Sequence, residues 1–440
     1  MAARESLGAR ETMKVVVLGL WHLGCVTAAC CAEYFAVVGL DFDRELVANL
    51  ARGKLPVFEP GLAELMARQL ENRRLFFSSD ANQILKTADV LWVCYDTPVD
   101  LNDVADNDFV LRNIDQCVPE LRAGATILIS SQLPVGTCRR LQNKHAGRNL
   151  SFAYSPENLR LGNALETFRR PDRIVAGVRD ETARGRLREL FAPFAGDRLL
   201  WMTPESAEMT KHAINTFLAL SVTFANEIAR LCEVIGADAR EVEQGLRSES
   251  RIGPNAYIRP GAAFAGGTLA RDVVTLKHIA QENKQEAILI EAILASNEVH
   301  KQWALRRLEA TFPLLDQVTV AVLGLTYKPG TDTLRRSSAL ELCLALLSRN
   351  CTVRCYDPEV KVLPRMAAAA ALFQSLPEAI ANADAIVVAT PWPQITQADW
   401  SQLIPRMKEG TIILDANRAL VLSENLLRHV RYITVGAPQV

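Results

Sequence analysis

The stretch KVVVLGLWHLG, residues 14–24, decides how this chain is read. The apolar run after Lys14 has the length and β-branching of a buried strand, and Gly19 directly behind it opens a tight turn. The small-residue segment GCVTAACCAEY (24–34) then reads as a helix, and AVVGLD (36–41) as a second strand, completing a βαβ unit. Gly19 and Gly24 occupy the first and third glycine positions of a dinucleotide turn, one for the turn itself and one for close helix–sheet packing. The middle position, where backbone approaches a pyrophosphate at the helix N-terminus, is Trp21. If that position needs a positive φ, a bulky residue costs about 1–2 kcal/mol. With an ordinary φ, the indole points away or lies over the ligand. Asp41, 22 residues after Gly19, ends the second strand, where an acid can bind a ribose hydroxyl pair and favour NAD over NADP. On these residues alone, a dinucleotide site and an unliganded α/β turn stand equal.

Working outward, the same alternation continues through LFFSS (75–79), DVLWVCYDT (89–97), ATILISSQL (125–133), SFAYS (151–155), RIVAGV (173–178) and RLLWMT (198–203). Strands alternating with helices predict a largely parallel sheet covered on both faces. After Thr203 the texture changes. Residues 204 to about 300 carry no convincing strand, and ESAEMTKHAINTFLALSVTFANEIARLCEVIGA (205–237) reads as one long helix stopped by Gly236. Alternation returns with QVTVAVLGL (317–325), TVRCYDP (352–358), DAIVVATP (384–391) and TIILDA (411–416). The plan is α/β, all-α, α/β, with a tail at 1–12 and domains at 13–203, 204–302 and 303–440. Such a plan suggests two nucleotide-binding floors, since open parallel sheets bind ligands beyond their strand ends.

Composition narrows the function classes. Charged residues make up 22% and hydrophobic residues 49%, and the formal net charge is −1 without a long block of one sign. Neither nucleic acid nor a membrane is expected as partner, and no apolar run approaches the roughly 18 residues of a membrane span. MAARESLGARET lacks the apolar stretch of a signal peptide. Ten cysteines without a CxxC pair fit a reduced cytoplasmic protein. No HExxH or clustered His/Cys spacing points to a metal. The acidic stretch Asp96–Asp108 lacks the glycine and terminal glutamate of a calcium loop and is expected to be solvated.

Five longer stretches fall in order along the chain: FEPGL (58–62), SPENLRLGNALETFRRPDRIVAG (155–177), SAEMTKHAINTFLAL (206–220), RIGPNAYIRPGAAFAGGTLARD (251–272) and GLTYKPGTDTLRRS (324–337). Together they resemble the UDP-glucose/GDP-mannose dehydrogenase family, from Met13 nearly to the end of the chain. The resemblance implies two Rossmann-like parallel-sheet α/β domains joined by a long central helix and an all-α dimerisation domain. It assigns NAD to 13–203, dimer formation to 204–302 and UDP or a nucleotide sugar to 303–440. It also implies oxidation of a sugar's primary alcohol to a carboxylate with two NAD per turnover. Gly19, Gly24, Asp41 and Thr97 fit the family's cofactor floor. Trp21 departs from it, and so does Gln132 in SSQLPVG, where a threonine is usual.

Taking a hydride from an alcohol needs an acceptor for its proton and donors for the developing oxyanion. Lys211 and Asn215 lie four apart on one helix face and match the family's lysine and asparagine at the reacting oxygen. Asp272 matches the aspartate that works with the lysine to orient water. Glu157 preserves the first carboxylate of the SPEN loop, whereas Leu161 replaces its second catalytic glutamate. The family's cysteine loop reads roughly GFGYGGSCFPKD; this chain reads GAAFAGGTLARD, with Gly266 and Gly267 leading to Thr268 in the cysteine position. A thiolate traps an aldehyde as a thiohemiacetal, but a threonine hydroxyl is a poor nucleophile without a strong base. Lys328 and Arg335 match residues that hold the diphosphate, for which forked guanidinium donors are suited. Asn417 and Arg418 reverse the family's Arg-Asn order, and Arg251 resembles an arginine that reaches the sugar in a partner subunit.

The expected activity is therefore an NAD-dependent oxidation of a nucleotide-linked sugar by a cysteine-independent route. It stops after two electrons, or continues through an aldehyde hydrate. Two other classes stand beside it: an epimerase that returns the hydride, and a non-catalytic nucleotide-sugar-binding homologue.

Overall fold

In both sheets, the apolar runs form strands, and the side chains of the central ones are buried on two faces, as helices above and below a parallel sheet require. The computed structural model describes residues 13–98, 105–157, 159, 161–265 and 267–438. The expected tail, Gly266 and residues 99–104 of the acidic stretch lie outside them. The chain divides into two compact units, Met1–Lys211 and His212–Val440.

The first unit carries β1 (Lys14–Leu18), β2 (Ala36–Leu40), β3 (Leu75–Ser78), β4 (Val90–Val93), β5 (Thr126–Ile129), β6 (Ser151–Tyr154), β7 (Ile174–Gly177) and β8 (Leu199–Met202). Their order is β3-β2-β1-β4-β5-β6-β7-β8. Neighbours run parallel except β6 and β7, which meet antiparallel at Tyr154 and Gly177. The second unit holds β9 (Thr319–Leu323), β10 (Thr352–Tyr356), β11 (Ala371–Phe373), β12 (Ala385–Val388), β13 (Ile412–Asp415) and β14 (Arg431–Ile433). They form an all-parallel sheet in the order β11-β10-β9-β12-β13-β14. Each sheet therefore reverses direction once, between β1 and β4 and between β9 and β12. Those reversals open the crevice in which doubly wound sheets bind ligands.

Five helices position the residues of interest: α1 (His22–Cys31), α2 (Ala164–Arg169), α3 (Pro204–Ile235), α4 (Thr268–Glu282) and α5 (Ile288–Lys301). All of α1 after His22 is buried, which explains its run of Ala and Cys: a helix covered on every side has room only for small residues. The 32 residues of α3 end at Gly236, whose φ of +80° suits the left-handed stop expected there. Among the described residues, no helix is long and apolar enough to cross a membrane.

The two sheets repeat one device. Gly19 N–H donates to the Leu40 carbonyl and Leu20 N–H to the Asp41 carboxylate; Gly324 N–H donates to the Tyr356 carbonyl and Leu325 N–H to the Asp357 carboxylate. In both, a positive-φ glycine turns the chain out of the first strand, and an aspartate beyond the second strand ties that turn down.

Candidate active site

In the first unit, Gly19 adopts φ +92°, and a Cβ there would lie 2.7 Å from the Tyr95 ring. A Cβ on Gly24 would lie 1.7 Å from the Gly19 carbonyl oxygen, so helix and turn touch through bare backbone. Trp21, the N-cap of α1, has φ −85° and ψ −152°. Its backbone is extended and unstrained, and its side chain is 50% exposed. No side-chain hydrogen bond caps the N-terminus of α1, and no acidic residue occupies its first turn to compete with an anion. The two aspartates of the repeated device differ in a telling way. Asp357 is saturated by the N–H groups of Leu325, Thr326, Glu359 and Val360 and by the Trp392 indole N–H. Among the described residues, Asp41 accepts from Leu20 and Asp43 N–H alone, at 2.8 and 3.0 Å, and keeps acceptor capacity for hydroxyl groups. Thr97 Oγ1 donates to the Gln132 carbonyl at 2.7 Å, tying together the segments beyond β4 and β5. These residues fit a dinucleotide lying across the end of the first sheet.

A buried glutamate links this turn to the next loop. Glu59 of FEPGL accepts from Gly162 and Ala164 N–H, both at 2.8 Å, and lies 2.9 Å from His22 Nε2. It thereby connects the first residue of α1 with the first residue of α2. In the intervening SPENLRLG loop, Lys211 Nζ donates to the Glu157 carbonyl at 2.8 Å and to its carboxylate at 3.1 Å. The lysine is nearly buried. Leu161 is 43% exposed on the same loop.

In the second unit, Asp272 is fully buried on α4. It accepts from Asn215 Nδ2 with one oxygen, and its other oxygen lies 2.7 Å from His212 Nδ1. His212 and Asn215 stand three apart on α3 and so present the same face. Thr268, the first residue of α4, is exposed and one turn before Asp272. Gly267 ahead of it has φ +125°, a conformation that favours glycine. The loop leading there is clamped from four sides. Asn226 accepts from Gly261 N–H, Asn417 from Ala262 N–H and Asn297 from Phe264 N–H, while His300 Nε2 meets the Gly261 carbonyl at 2.8 Å. Asn417 is thus part of the clamp, and Arg418 is turned toward Asp238 and the Val435 carbonyl. Lys328 lies half-buried beyond β9 with its ammonium 5.5 Å from the Tyr327 ring centre. Arg335 is exposed on the same connection, and Arg251 is exposed beside Glu249, 2.9 Å away.

All ten cysteines are free and buried. Burial raises several of these thiols: Cys25, Cys30 and Cys117 are each pushed up to about 12. Cys31 and Cys138 are also held well above the ordinary value by burial. No exposed thiol exists to act as a nucleophile. Among the described residues, no group of three or more His, Cys, Asp or Glu is arranged to hold a metal ion.

Family models cover most of the chain in three consecutive blocks: the NAD binding domain over residues 13–195, the central domain over 205–299 and the UDP binding domain over 321–421. All three are blocks of one family. The chain belongs to the UDP-glucose/GDP-mannose dehydrogenase family. It is 34% identical to a UDP-glucose 6-dehydrogenase of Pseudomonas aeruginosa over 420 residues, covering 91% of this chain and 92% of that one. A UDP-glucose 6-dehydrogenase of Rhizobium meliloti is 32% identical over 444 residues, covering 97% and 100%. A UDP-glucose dehydrogenase structure from Pyrobaculum islandicum matches with TM-score 0.82 and 28% identity, covering 99% of this chain and 100% of that one. As a member of this dehydrogenase family, the protein is an NAD-dependent nucleotide-sugar dehydrogenase.

Residue types alone did not reveal several of these contacts. His212 sits inside the quoted KHAIN segment, and its three-residue spacing from Asn215 was the available signal. Glu59 was likewise visible within FEPGL, but nothing local says that its partners are 103 and 105 residues away. Asn226, Asn297 and His300 clamp the threonine loop through side-chain-to-backbone bonds, which leave no spacing pattern in a sequence.

Proposed function

We propose that this dehydrogenase oxidises the CH–OH group of a UDP-linked sugar without a covalent thiol step. The observation that carries this reading is a contrast within one chain. An exposed threonine heads α4 where the resemblance expects the nucleophilic cysteine, and all ten thiols are buried. The UDP binding domain over residues 321–421 and the relatives named above support UDP-glucose as the first substrate to test.

In this reading Gly19, Trp21, Gly24, Asp41, Thr97 and Gln132 hold NAD, which accepts the hydride when bound. Lys211 and Asn215, four apart on α3, donate to the oxygen of the reacting carbon. The donors lower the cost of the negative charge that develops there. Glu157 holds the lysine, and Asp272 holds the asparagine. Leu161 and Thr268 line the sugar, Lys328 and Arg335 bind the diphosphate, and Arg251 reaches the sugar of a second copy. A homodimer is supported by the exposed stripe Phe217, Phe224 and Leu231 on α3, repeated every seven residues. Without a thioester the reaction ends at the carbonyl, or the hydrated aldehyde loses a second hydride.

The test is incubation with NAD and a panel of nucleotide sugars, followed by weighing the products. NADH should appear with a UDP-sugar. A loss of two hydrogens marks the two-electron route, and a net gain of one oxygen with loss of two hydrogens marks the acid. Failure of every sugar to produce NADH contradicts the reading.

A further inference from the structure

His22 and His300 use their rings differently. His300 engages both nitrogens, Nε2 with the Gly261 carbonyl and Nδ1 with Arg230. This is how a histidine that only holds structure satisfies its polar atoms. His22 engages one. Its Nε2 lies 2.9 Å from Glu59 Oε2, and among the described residues its Nδ1 makes no hydrogen bond. The Glu59 side chain is 1% exposed and that of His22 15%, so a buried carboxylate pins an imidazole that still reaches solvent.

His22 is the first residue of α1, directly behind the dinucleotide turn. Cα–Cβ bonds tilt toward a helix N-terminus, so a side chain in this position leans back over the turn, where a pyrophosphate binds. Glu59 settles the tautomer. Its oxygens already accept from Gly162 and Ala164 N–H, so it meets His22 as an acceptor and Nε2 carries the hydrogen. A neutral ring then presents only a lone pair at Nδ1, which repels a phosphate oxygen. An imidazolium donates from both nitrogens, one to Glu59 and one to the phosphate. The positive end of α1 opposes that charge in the empty site, and a bound anion removes the opposition.

The other charged groups on elements packed against α1 are Lys14 at the start of β1, Asp41 beyond β2, Glu64, Arg68 and Glu71 on the helix Leu62–Glu71, and Glu166 and Arg169 on α2. Arg68 and Arg169 are both held by Glu33, past the far end of α1, and Glu166 pairs with Arg170. Among the described residues, Glu59 alone stands at ion-pair distance from the His22 ring.

We propose that His22 contacts the NAD pyrophosphate as an imidazolium, so that cofactor binding takes up a proton. The inference rests on the assignment of NAD to the Gly19–Gly24 turn and adds to it a residue and a pH linkage. The proton comes from solvent and adds to Nδ1, and no covalent bond to the cofactor forms.

The experiment is calorimetry of NAD and of ADP-ribose binding in two buffers of different ionisation enthalpy. Both ligands carry the pyrophosphate, and both should take up part of a proton at neutral pH. Affinity should fall as pH rises from about 6 to about 8, by at most about tenfold per unit, the slope of one proton. His22→Gln keeps a donor at the ε position for Glu59 but has no donor at δ and no charge. It should keep the parent's urea midpoint, bind both ligands about tenfold more weakly at pH 6, and show no proton uptake. Proton uptake by the variant equal to the parent's would overturn the inference. So would a loss of affinity of the same size at every pH, which would reduce His22 to holding Glu59. A parent that binds NAD without proton uptake overturns it whether or not the variant folds. A parent that binds neither ligand overturns the assignment of the cofactor to this turn, and this inference with it.

Discussion

Glu59→Gln tests whether one buried carboxylate joins the cofactor turn to the loop that carries Glu157. Glu59 accepts from two backbone N–H groups and pairs with His22, and it is almost fully buried. A glutamine keeps one acceptor oxygen. Whichever way its amide is turned, an NH₂ group must face either Gly162 or Ala164 N–H, donor against donor. One orphaned buried donor costs about 1–3 kcal/mol, and the remaining bonds lose their charge assistance. The sum is a loss of about 3 kcal/mol, or roughly 150-fold in the folding equilibrium. Urea unfolding followed by circular dichroism measures it, with the exposed Glu64→Gln as control. The pH dependence adds a second check. Burial pushes the Glu59 carboxyl up, but the Gly162 and Ala164 amides and His22 outweigh it and hold it below its ordinary value. A lowered carboxyl contributes stability that is complete above its unfolded value of about 4.3 and is lost as pH falls through the folded value. The gap between parent and variant should therefore close on acidification below about pH 4. A difference under about 0.5 kcal/mol at neutral pH would refute the reasoning, since that is the range of an ordinary surface change.

Gly24→Ala places a methyl 1.7 Å from the Gly19 carbonyl oxygen. It should cost about 3 kcal/mol or more and weaken NAD binding, both readable by thermal shift. Gly185→Ala, in a helix with nothing within 4 Å, should be neutral or stabilising. Burial lowers His300 from 6.5 to about 4, against the bond to Gly261. A histidine lowered in this way favours the neutral folded state, so its contribution is complete above pH 6.5 and declines toward pH 4 by up to about 1.4 kcal/mol per unit. His300→Gln should flatten that part of a stability–pH curve. A thiol-specific disulfide reagent should leave the native protein and its activity untouched, and Thr268→Cys should add one reactive thiol per chain. The proposed homodimer predicts that the parent sediments as a dimer and Phe224→Glu as a monomer, with NAD affinity unchanged.

The sheet-forming segments and the long helix were legible because buried strands and a helix stop leave local signatures: runs such as VVVL, and a positive-φ glycine at position 236. Trp21 was ambiguous for a physical reason. Sequence cannot reveal whether a turn needs φ above zero at its middle residue, and here φ is −85°. Lys211, Asn215 and Asp272 were reached through motif resemblance rather than chemistry, because a lysine and an asparagine on a helix face carry no functional mark of their own. The connections that organise the sites were not legible. Glu59 to Ala164 and His212 to Asp272 are bonds between segments distant in sequence, which only the fold brings within reach.

The central claim is that hydride passes from a nucleotide sugar to NAD in a protein whose thiols take no part. UDP-glucose deuterated at C6, supplied with NAD to protein pretreated with iodoacetamide, tests it in one measurement by mass spectrometry of the reduced cofactor. Deuterium should appear in NADH at the rate seen with untreated protein. Absence of label from the cofactor, or its loss after alkylation, would contradict the account.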